Sequence, residues 1–156
     1  MRYHDCLTDD EQRAAGVASP APFALADRVR FNEIDALGHA NNAAYTVWYE
    51  TARVRYLRHH GLTSFGPDEP RLVIFRAEID YLAELFAEQD YVITCRCVGF
   101  RTSSFTLENE LWAGGRLCSR FRGIMVAMYP DGSGKMPLPD SFLKVFEGID
   151  GAARAT

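Results

Sequence analysis

The clearest periodic pattern in the chain is an apolar stripe between residues 42 and 60. Apolar side chains recur there every three or four positions, a spacing that places them on one face of an α-helix. Asn41 or Asn42 is a natural N-cap, and Gly61 is a natural stop. The pattern predicts a long helix that buries one face against a sheet. The stripe consists of Tyr45, Trp48, Tyr49, Ala52, Tyr56 and Leu57.

On both sides of this helix the apolar positions alternate with a period of two, which is typical of β-strands. A first strand is expected at about Phe23–Phe31, and a short closing helix at Pro139–Phe146. Gly114 and Gly115 predict a two-residue hairpin turn between the last two strands. Four strands in a meander are predicted after the long helix, at Leu72–Tyr81, Asp90–Phe100, Ser103–Trp112 and Arg116–Tyr129.

This order of elements predicts an α+β fold. One helix cannot cover both faces of a flat sheet, so we expect a curved antiparallel sheet of five to six strands wrapped around a long central helix. The domain is expected at residues 23–147, after an N-terminal extension at 1–22 and before a frayed tail at 148–156. Exposed edge strands favour a homodimer, since pairing them across a two-fold axis removes the free edges.

The composition narrows the classes of function. The 156 residues are 47% hydrophobic and carry a net charge of -4, so no basic field is expected for nucleic acid or a membrane surface. No apolar run approaches the roughly 20 residues of a membrane span. The acidic first 22 residues do not resemble a secretory signal, and we expect a cytoplasmic location. The four scattered cysteines predict buried free thiols rather than disulfides or a metal site.

The densest group of reactive side chains lies in the loop that enters the long helix. Asp35, His39, Asn41 and Asn42 stand just before a helix N-terminus, whose free N–H groups can stabilise an oxyanion. A carboxylate a few residues upstream can attack a carbonyl held there, or activate water against it. The loop therefore suggests acyl transfer to water. A structural interpretation stays open, in which Asp35 forms an Asx turn, Gly38 supplies a positive φ and the asparagines are caps.

The motif RFxxxDAxGHxNNxxYxxxxExxR at residues 30–53 resembles the 4-hydroxybenzoyl-CoA thioesterase-like branch of the hotdog-fold superfamily. Two weaker matches extend the resemblance over about residues 23–146, namely GFRTSSF at 99–105 and KMPLP at 135–139. The resemblance implies a hotdog fold and hydrolysis of an acyl-CoA thioester without a metal or other cofactor. It also implies self-association as a homodimer or a dimer of dimers.

The resemblance assigns roles to individual positions. Asp35 falls on the catalytic carboxylate, which acts as nucleophile or general base, and the backbone N–H near Asn42 falls on the group that polarises the carbonyl. Glu50 is a second catalytic candidate, because another hotdog branch carries a glutamate on this helix. The remaining candidates are expected to bind substrate: Gly38, His39 and Asn41 in the loop, Tyr45, Trp48 and Tyr49 along the acyl pocket, and Arg101, Thr102 and Ser103 at the coenzyme A phosphates.

The leading hypothesis is an acyl-CoA thioesterase that takes an aromatic or a medium- to long-chain acyl group, carried by coenzyme A or by acyl carrier protein. Hydration of an enoyl thioester is disfavoured, because that branch places its histidine five residues after the aspartate, whereas Asp35 and His39 are four apart. A non-catalytic protein that binds or senses acyl thioesters is the main alternative. A purely structural role is the third.

Overall fold

A single mixed sheet organises the part of the chain that the computed structural model describes, residues 1–155. Its strands are β1 (Phe23–Arg28), β2 (Arg71–Tyr81), β3 (Asp90–Phe100), β4 (Ser104–Ala113), β5 (Arg116–Met128) and β6 (Ala153–Arg154). The helices are α1 (Asp9–Ala14), α2 (Asn42–His59) and α3 (Asp140–Gly148), and a 3-10 turn covers Phe31–Glu33. The predicted α+β class is confirmed, and the strand and helix bounds after residue 40 agree with the predictions to within about two residues.

The strand order corrects the predicted meander. The sheet runs β1-β3-β4-β5-β2, all antiparallel, and the short β6 adds to the end of β3 in parallel. Only β3, β4 and β5 are consecutive neighbours, whereas β2 pairs with β5 at the far edge. The reason is the path of α2, which separates β1 from β2 in the chain and delivers them to opposite edges. β2 therefore has one side without a strand partner among the described residues.

The helix α2 forms where its stripe predicted it. The Asn41 side chain accepts a hydrogen bond from the Ala43 N–H (2.9 Å), and Gly61 follows the helix with a φ of 66°. Its 18 residues span about 27 Å. All six stripe residues are buried. Tyr45, Trp48 and Tyr49 belong to one apolar cluster near the start of the helix, and Tyr56 and Leu57 belong to a second cluster near its end.

β4 buries every second side chain, as its alternation predicted, and β1, β3 and β5 also have buried residues, whereas no residue of β2 is buried. The hairpin turn at Gly114 and Gly115 has positive φ at both residues (56° and 73°). Cys95, Cys97 and Cys118 are buried free thiols, and burial raises the pKa of Cys97 to about 12. The expectation of buried free thiols is confirmed for these three cysteines, whereas Cys6 is a free thiol that is only partly buried.

The first strand is shorter than predicted. β1 ends at Arg28, and Phe31 stands in the 3-10 turn with 87% of its surface exposed. Alternation alone extended the strand to Phe31, but the chain leaves the sheet to form the loop of the candidate site. Before β1, the N-terminal residues pack on the outer face of the sheet, where Leu7 and Val17 contact Val92 and its neighbours.

The C-terminal tail is ordered rather than frayed over residues 148–155. Ala152 is buried, and β6 pairs with the last two residues of β3. A parallel pairing of two residues has no sequence periodicity, so alternation could not predict it. Thr156, the last residue of the predicted tail, lies outside the described residues.

Candidate functional site

A tight loop between the 3-10 turn and α2 orients Asp35. The backbone of Asp35 donates to the His39 carbonyl (3.0 Å) and accepts from the Gly38 N–H (3.1 Å), while Gly38 has a φ of 85°. The Oδ1 atom of Asp35 accepts from the Leu37 N–H at 2.8 Å. This is the Asx turn of the structural interpretation. It fixes one oxygen only, and within residues 1–155 the Oδ2 atom has no hydrogen-bond donor.

Asp35 opens onto a cleft of about 510 Å³ at the start of α2. Four of the predicted site residues share it, namely Asp35, His39, Asn42 and Tyr45. The opposite wall comes from the end of β2 and the connection that follows it, Tyr81–Glu84. The structure thus brings a carboxylate and a helix N-terminus to one concave surface, as the sequence analysis expected.

The first residue of α2 provides a backbone donor. The Asn41 N–H donates to the Glu33 carbonyl (2.7 Å), and the Asn41 side chain accepts from the Ala43 N–H (2.9 Å). The N–H of Asn42, between them, has no acceptor in the part of the chain that the structure describes. The partial positive charge of the helix start adds to this donor. A carbonyl oxygen placed here gains a hydrogen bond without a cationic side chain.

Two tyrosines form the aromatic part of the cleft. The rings of Tyr45 and Tyr81 meet edge to face with centroids 5.1 Å apart. Burial raises the pKa of Tyr45 to about 12, so its hydroxyl stays protonated at neutral pH. Tyr81 donates from its hydroxyl to the Asn42 carbonyl at 3.1 Å. Sequence reasoning missed Tyr81, because it is distant in sequence and its surroundings indicate only the end of a strand.

Trp48 and Tyr49 are not among the residues that line this cleft. Trp48 donates from its indole N–H to Glu33 (2.9 Å), and Tyr49 donates from its hydroxyl to Ser119 (2.7 Å) and stacks on Phe121. Both residues are buried. They support the helix from beneath, whereas Tyr45 contributes to the cleft wall.

His39 faces a carboxylate that the sequence analysis did not single out. Its Nε2 atom lies 3.9 Å from the Glu84 carboxylate, and its Nδ1 atom lies 3.4 Å from the Ala40 carbonyl. Glu84 comes from the connection between β2 and β3, and no local motif surrounds it. Gly38 and Asn41 are not lining residues, and they shape the loop and the helix start.

Glu50 is separate from the Asp35 cleft. It is exposed on α2, eight residues and about 12 Å beyond Asn42. Within residues 1–155 it forms no ion pair with Arg53. Burial lowers the pKa of the Arg53 guanidinium, and the charge of Glu50 opposes that shift. The structure therefore does not bring Glu50 together with Asp35 in one chain.

The predicted phosphate contacts lie in a second depression, hereafter the cationic groove, of about 780 Å³. Arg101, Thr102 and Ser103 line it at the turn between β3 and β4. Three further cations line it, which sequence reasoning did not select, because they come from distant segments: Arg122, Lys135 and Arg154. Within residues 1–155, no carboxylate lines the groove and none of these cations forms an ion pair.

Metal ligation and membrane spanning find no support in the described residues. No group of three or more His, Cys, Asp or Glu side chains in residues 1–155 is arranged to hold a metal ion. None of the helices described here is long and apolar enough to cross a membrane.

The family model described as the thioesterase-like superfamily matches residues 29–146. The chain belongs to this superfamily. The match begins just before the Asp35 loop and ends in α3, so it contains the cleft and most of the cationic groove. It confirms the resemblance drawn from the motif at residues 30–53. A search of curated proteins found no match.

Solved structures resemble most or all of the chain. A thioesterase superfamily protein from Jannaschia sp. CCS1 is 41% identical, with 99% of each chain covered and a TM-score of 0.93. A thioesterase from Thermus thermophilus, solved with coenzyme A and zinc, is 29% identical; the match covers 84% of this chain and 96% of that one, with a TM-score of 0.75. A 1,4-dihydroxy-2-naphthoyl-CoA thioesterase from Synechocystis is 17% identical over 82% and 97% of the chains, with a TM-score of 0.73, and it shares the fold.

Proposed function

We propose that this protein is an acyl-CoA thioesterase, which hydrolyses an acyl thioester to a free acid and a thiol. One observation carries the proposal: the Asp35 carboxylate shares a cleft with the N–H of Asn42, and among the described residues one Asp35 oxygen and this N–H have no hydrogen-bond partner. Membership of the thioesterase-like superfamily supports the same reaction class. In this proposal α2 is the central helix of a hotdog fold.

The proposed chemistry needs a base or nucleophile and a site for negative charge. The thioester carbonyl oxygen accepts from the Asn42 N–H, and Asp35 either attacks the carbon directly or takes a proton from an attacking water. Negative charge then develops on the carbonyl oxygen, next to the start of α2. Collapse breaks the carbon–sulfur bond and releases the thiolate, which takes up a proton. In the direct route, water then hydrolyses the acyl–Asp35 anhydride.

The cationic groove supports coenzyme A as the carrier. Its arginines and lysine provide hydrogen-bond donors with positive charge, which suit phosphate groups. Arg101, Thr102 and Ser103 are the proposed phosphate contacts. The cleft and the groove both border β2, at Tyr81 and Phe75, which lie about 20 Å apart along the strand.

We further propose that the protein associates with itself through β2, as a homodimer or a dimer of dimers. Among the described residues, β2 has a free edge next to exposed apolar side chains, and Phe75 is 75% exposed. Ile74 on β2 and Val47 on α2 are also exposed apolar residues. Sedimentation at micromolar concentration tests the proposal: we expect a dimer or tetramer, and Phe75→Glu is expected to weaken it. A clean monomer of the unsubstituted protein would overturn it.

The activity is tested by measuring thiol release from a panel of short, long and aromatic acyl-CoAs. We expect Asp35→Asn to lower kcat at least about a hundredfold. The Asn side chain can still accept from the Leu37 N–H, so the loop is expected to keep its shape. Asp68→Asn, which changes an exposed aspartate in another loop, is the matched control. Thiol release by Asp35→Asn at the unsubstituted rate would exclude the assignment. Binding without release across the panel would favour the acyl-thioester binding protein.

A further inference from the structure

The C-terminal segment that follows α3 forms part of the cationic groove. Ala153 and Arg154 pair with Gly99 and Phe100 at the end of β3, and the Ala155 N–H donates to the Phe100 carbonyl at 2.8 Å. Before them, the N–H of the buried Ala152 donates to the Phe146 carbonyl at 2.7 Å. This segment lies beyond residue 146, where the superfamily match ends. The family model therefore does not include this segment.

The guanidinium of Arg154 is held in a defined position at the groove. Its Cζ atom lies 5.3 Å from the centroid of the Phe100 ring, a cation–π contact. A guanidinium over an aromatic ring keeps its N–H edges available for oxygen acceptors. Arg154 shares the groove with Arg101 and Lys135, and within residues 1–155 it has no carboxylate partner. This arrangement suits an anionic oxygen that arrives with a ligand.

Asp150 anchors the segment four residues before Arg154. Its Oδ2 atom accepts from the Tyr56 hydroxyl and from the Cys97 N–H (2.8 Å). Its Oδ1 atom is buried without a partner in the described chain, and burial raises the pKa of the carboxyl. Burying a carboxyl group costs free energy unless its bonds compensate. Here those bonds tie the segment to α2 and to the strand that β6 extends.

We propose that Arg154 contacts a phosphate of the coenzyme A carrier and that Asp150 is the positioning residue that holds Arg154 at the groove. The proposal rests on the proposed function, because it assumes that the cationic groove receives the phosphates of an acyl-CoA. It goes beyond that function by assigning carrier recognition to residues that the family model does not include.

The test compares two substrates with the same acyl group. One is benzoyl-CoA, and the other is S-benzoyl-N-acetylcysteamine, which has the thioester but no phosphate. Arg154→Gln is expected to lower the ratio of kcat/KM for the first substrate to that for the second by about tenfold, mainly through KM. The control is Arg116→Gln. It changes an exposed arginine at the start of β5 that does not line the groove, and it is expected to keep the ratio. An unchanged ratio in Arg154→Gln overturns the assignment.

The role of Asp150 is tested with the same ratio. Asp150→Ala is expected to lower it, whereas Asp150→Asn, which keeps an acceptor for Tyr56 and Cys97, is expected to retain it. A fall in thermal stability in Asp150→Ala with no change in the ratio would limit Asp150 to a structural role. If the unsubstituted protein hydrolyses neither these two substrates nor any acyl-CoA of the panel, the proposed function fails. Calorimetric titration with coenzyme A then still decides the inference: about tenfold weaker binding by Arg154→Gln supports it, and equal binding overturns it.

Discussion

The two ends of α2 hold unpartnered polar groups in opposite surroundings. At the start of the helix, the Asn42 N–H and one oxygen of Asp35 face an open cleft. Near its end, one oxygen of Asp150 and the Nε2 atom of His60 are buried without partners in the described residues. A free group in a cleft is available to a ligand, whereas an unpartnered atom that is buried affects the protonation of its group and the stability of the fold. We therefore assign the proposed reaction to the start of α2 and the anchoring of the C-terminal segment to its end.

The largest expected effect on stability is near the C-terminal end of α2. Tyr56→Ala removes a fully buried ring that packs edge to face on Phe23 and holds Asp150, and we expect it to lower the free energy of unfolding by about 3–5 kcal/mol. Urea unfolding measures this loss. At temperatures where the variant is folded, kcat with a phosphate-free thioester is expected to stay the same. A large fall in kcat in folded Tyr56→Ala would break the division between the two ends.

The next effect is a pH dependence at the same end. Burial, with the neighbouring His59, lowers the pKa of His60 to about 4. As pH falls below about 6.5, the unfolded chain therefore takes up a proton that the folded chain accepts only near pH 4. The free energy of unfolding is expected to fall by about 1–2 kcal/mol between pH 7 and 4.5, after allowance for partial exposure.

Urea unfolding at the two pH values measures this change, and His60→Gln provides the comparison. The variant has no titrating group at this position, so it is expected to lose that part of the pH dependence. An equal pH dependence in the two proteins would show that His60 does not titrate as its burial indicates.

A smaller effect is expected at the open end. Asn41→Ala removes the cap of α2, which is expected to cost about 1 kcal/mol of stability and to reduce kcat, because the first turn also holds the proposed oxyanion donor. Asn41→Ser keeps a capping oxygen and is the matched control. Thermal unfolding and kcat are measured on both variants. A loss of stability in Asn41→Ala with unchanged kcat would separate the cap from the chemistry.

The smallest effect is expected for Tyr81→Phe, which removes the hydrogen bond to the Asn42 carbonyl and keeps the ring. We expect kcat/KM to fall about two- to fivefold, with the free energy of unfolding unchanged to within about 0.5 kcal/mol. Steady-state kinetics and urea unfolding are the measurements. If kcat/KM is unchanged, the hydrogen bond does not position the helix start for the reaction.

The sequence predicted the parts of the fold that have local periodicity. The stripe of α2 and the alternation in β3–β5 are set by neighbouring residues, so their bounds followed from the pattern. The position of β2 depends on the path of α2 across the sheet, which no local pattern records. The two-residue β6 depends on its partner, because its own length is too short for any pattern.

The candidate site likewise contains residues that a local motif predicted and residues that only the fold brings together. Asp35, His39, Asn42 and Tyr45 lie within eleven consecutive residues and share the cleft, so one motif identified them together. Tyr81, at the end of β2, and Glu84, in the connection that follows it, reach the same cleft from about 40 residues later in the chain. The cations of the groove come from four separate segments, of which those at Arg101 and Lys135 lie in weak motifs and those at Arg122 and Arg154 lie in none. Residues that meet only through tertiary packing require the structure.

The buried thiols give the molecule an internal reporter at each end of α2. Cys118 belongs to the apolar cluster of Tyr45, and Cys95 and Cys97 belong to the cluster of Tyr56. Since alkylating reagents react with exposed thiolates, labelling of these cysteines requires the fold to open around them. Comparing the labelling rates of Cys118 and Cys95 therefore shows which end of the helix opens first, without an added probe.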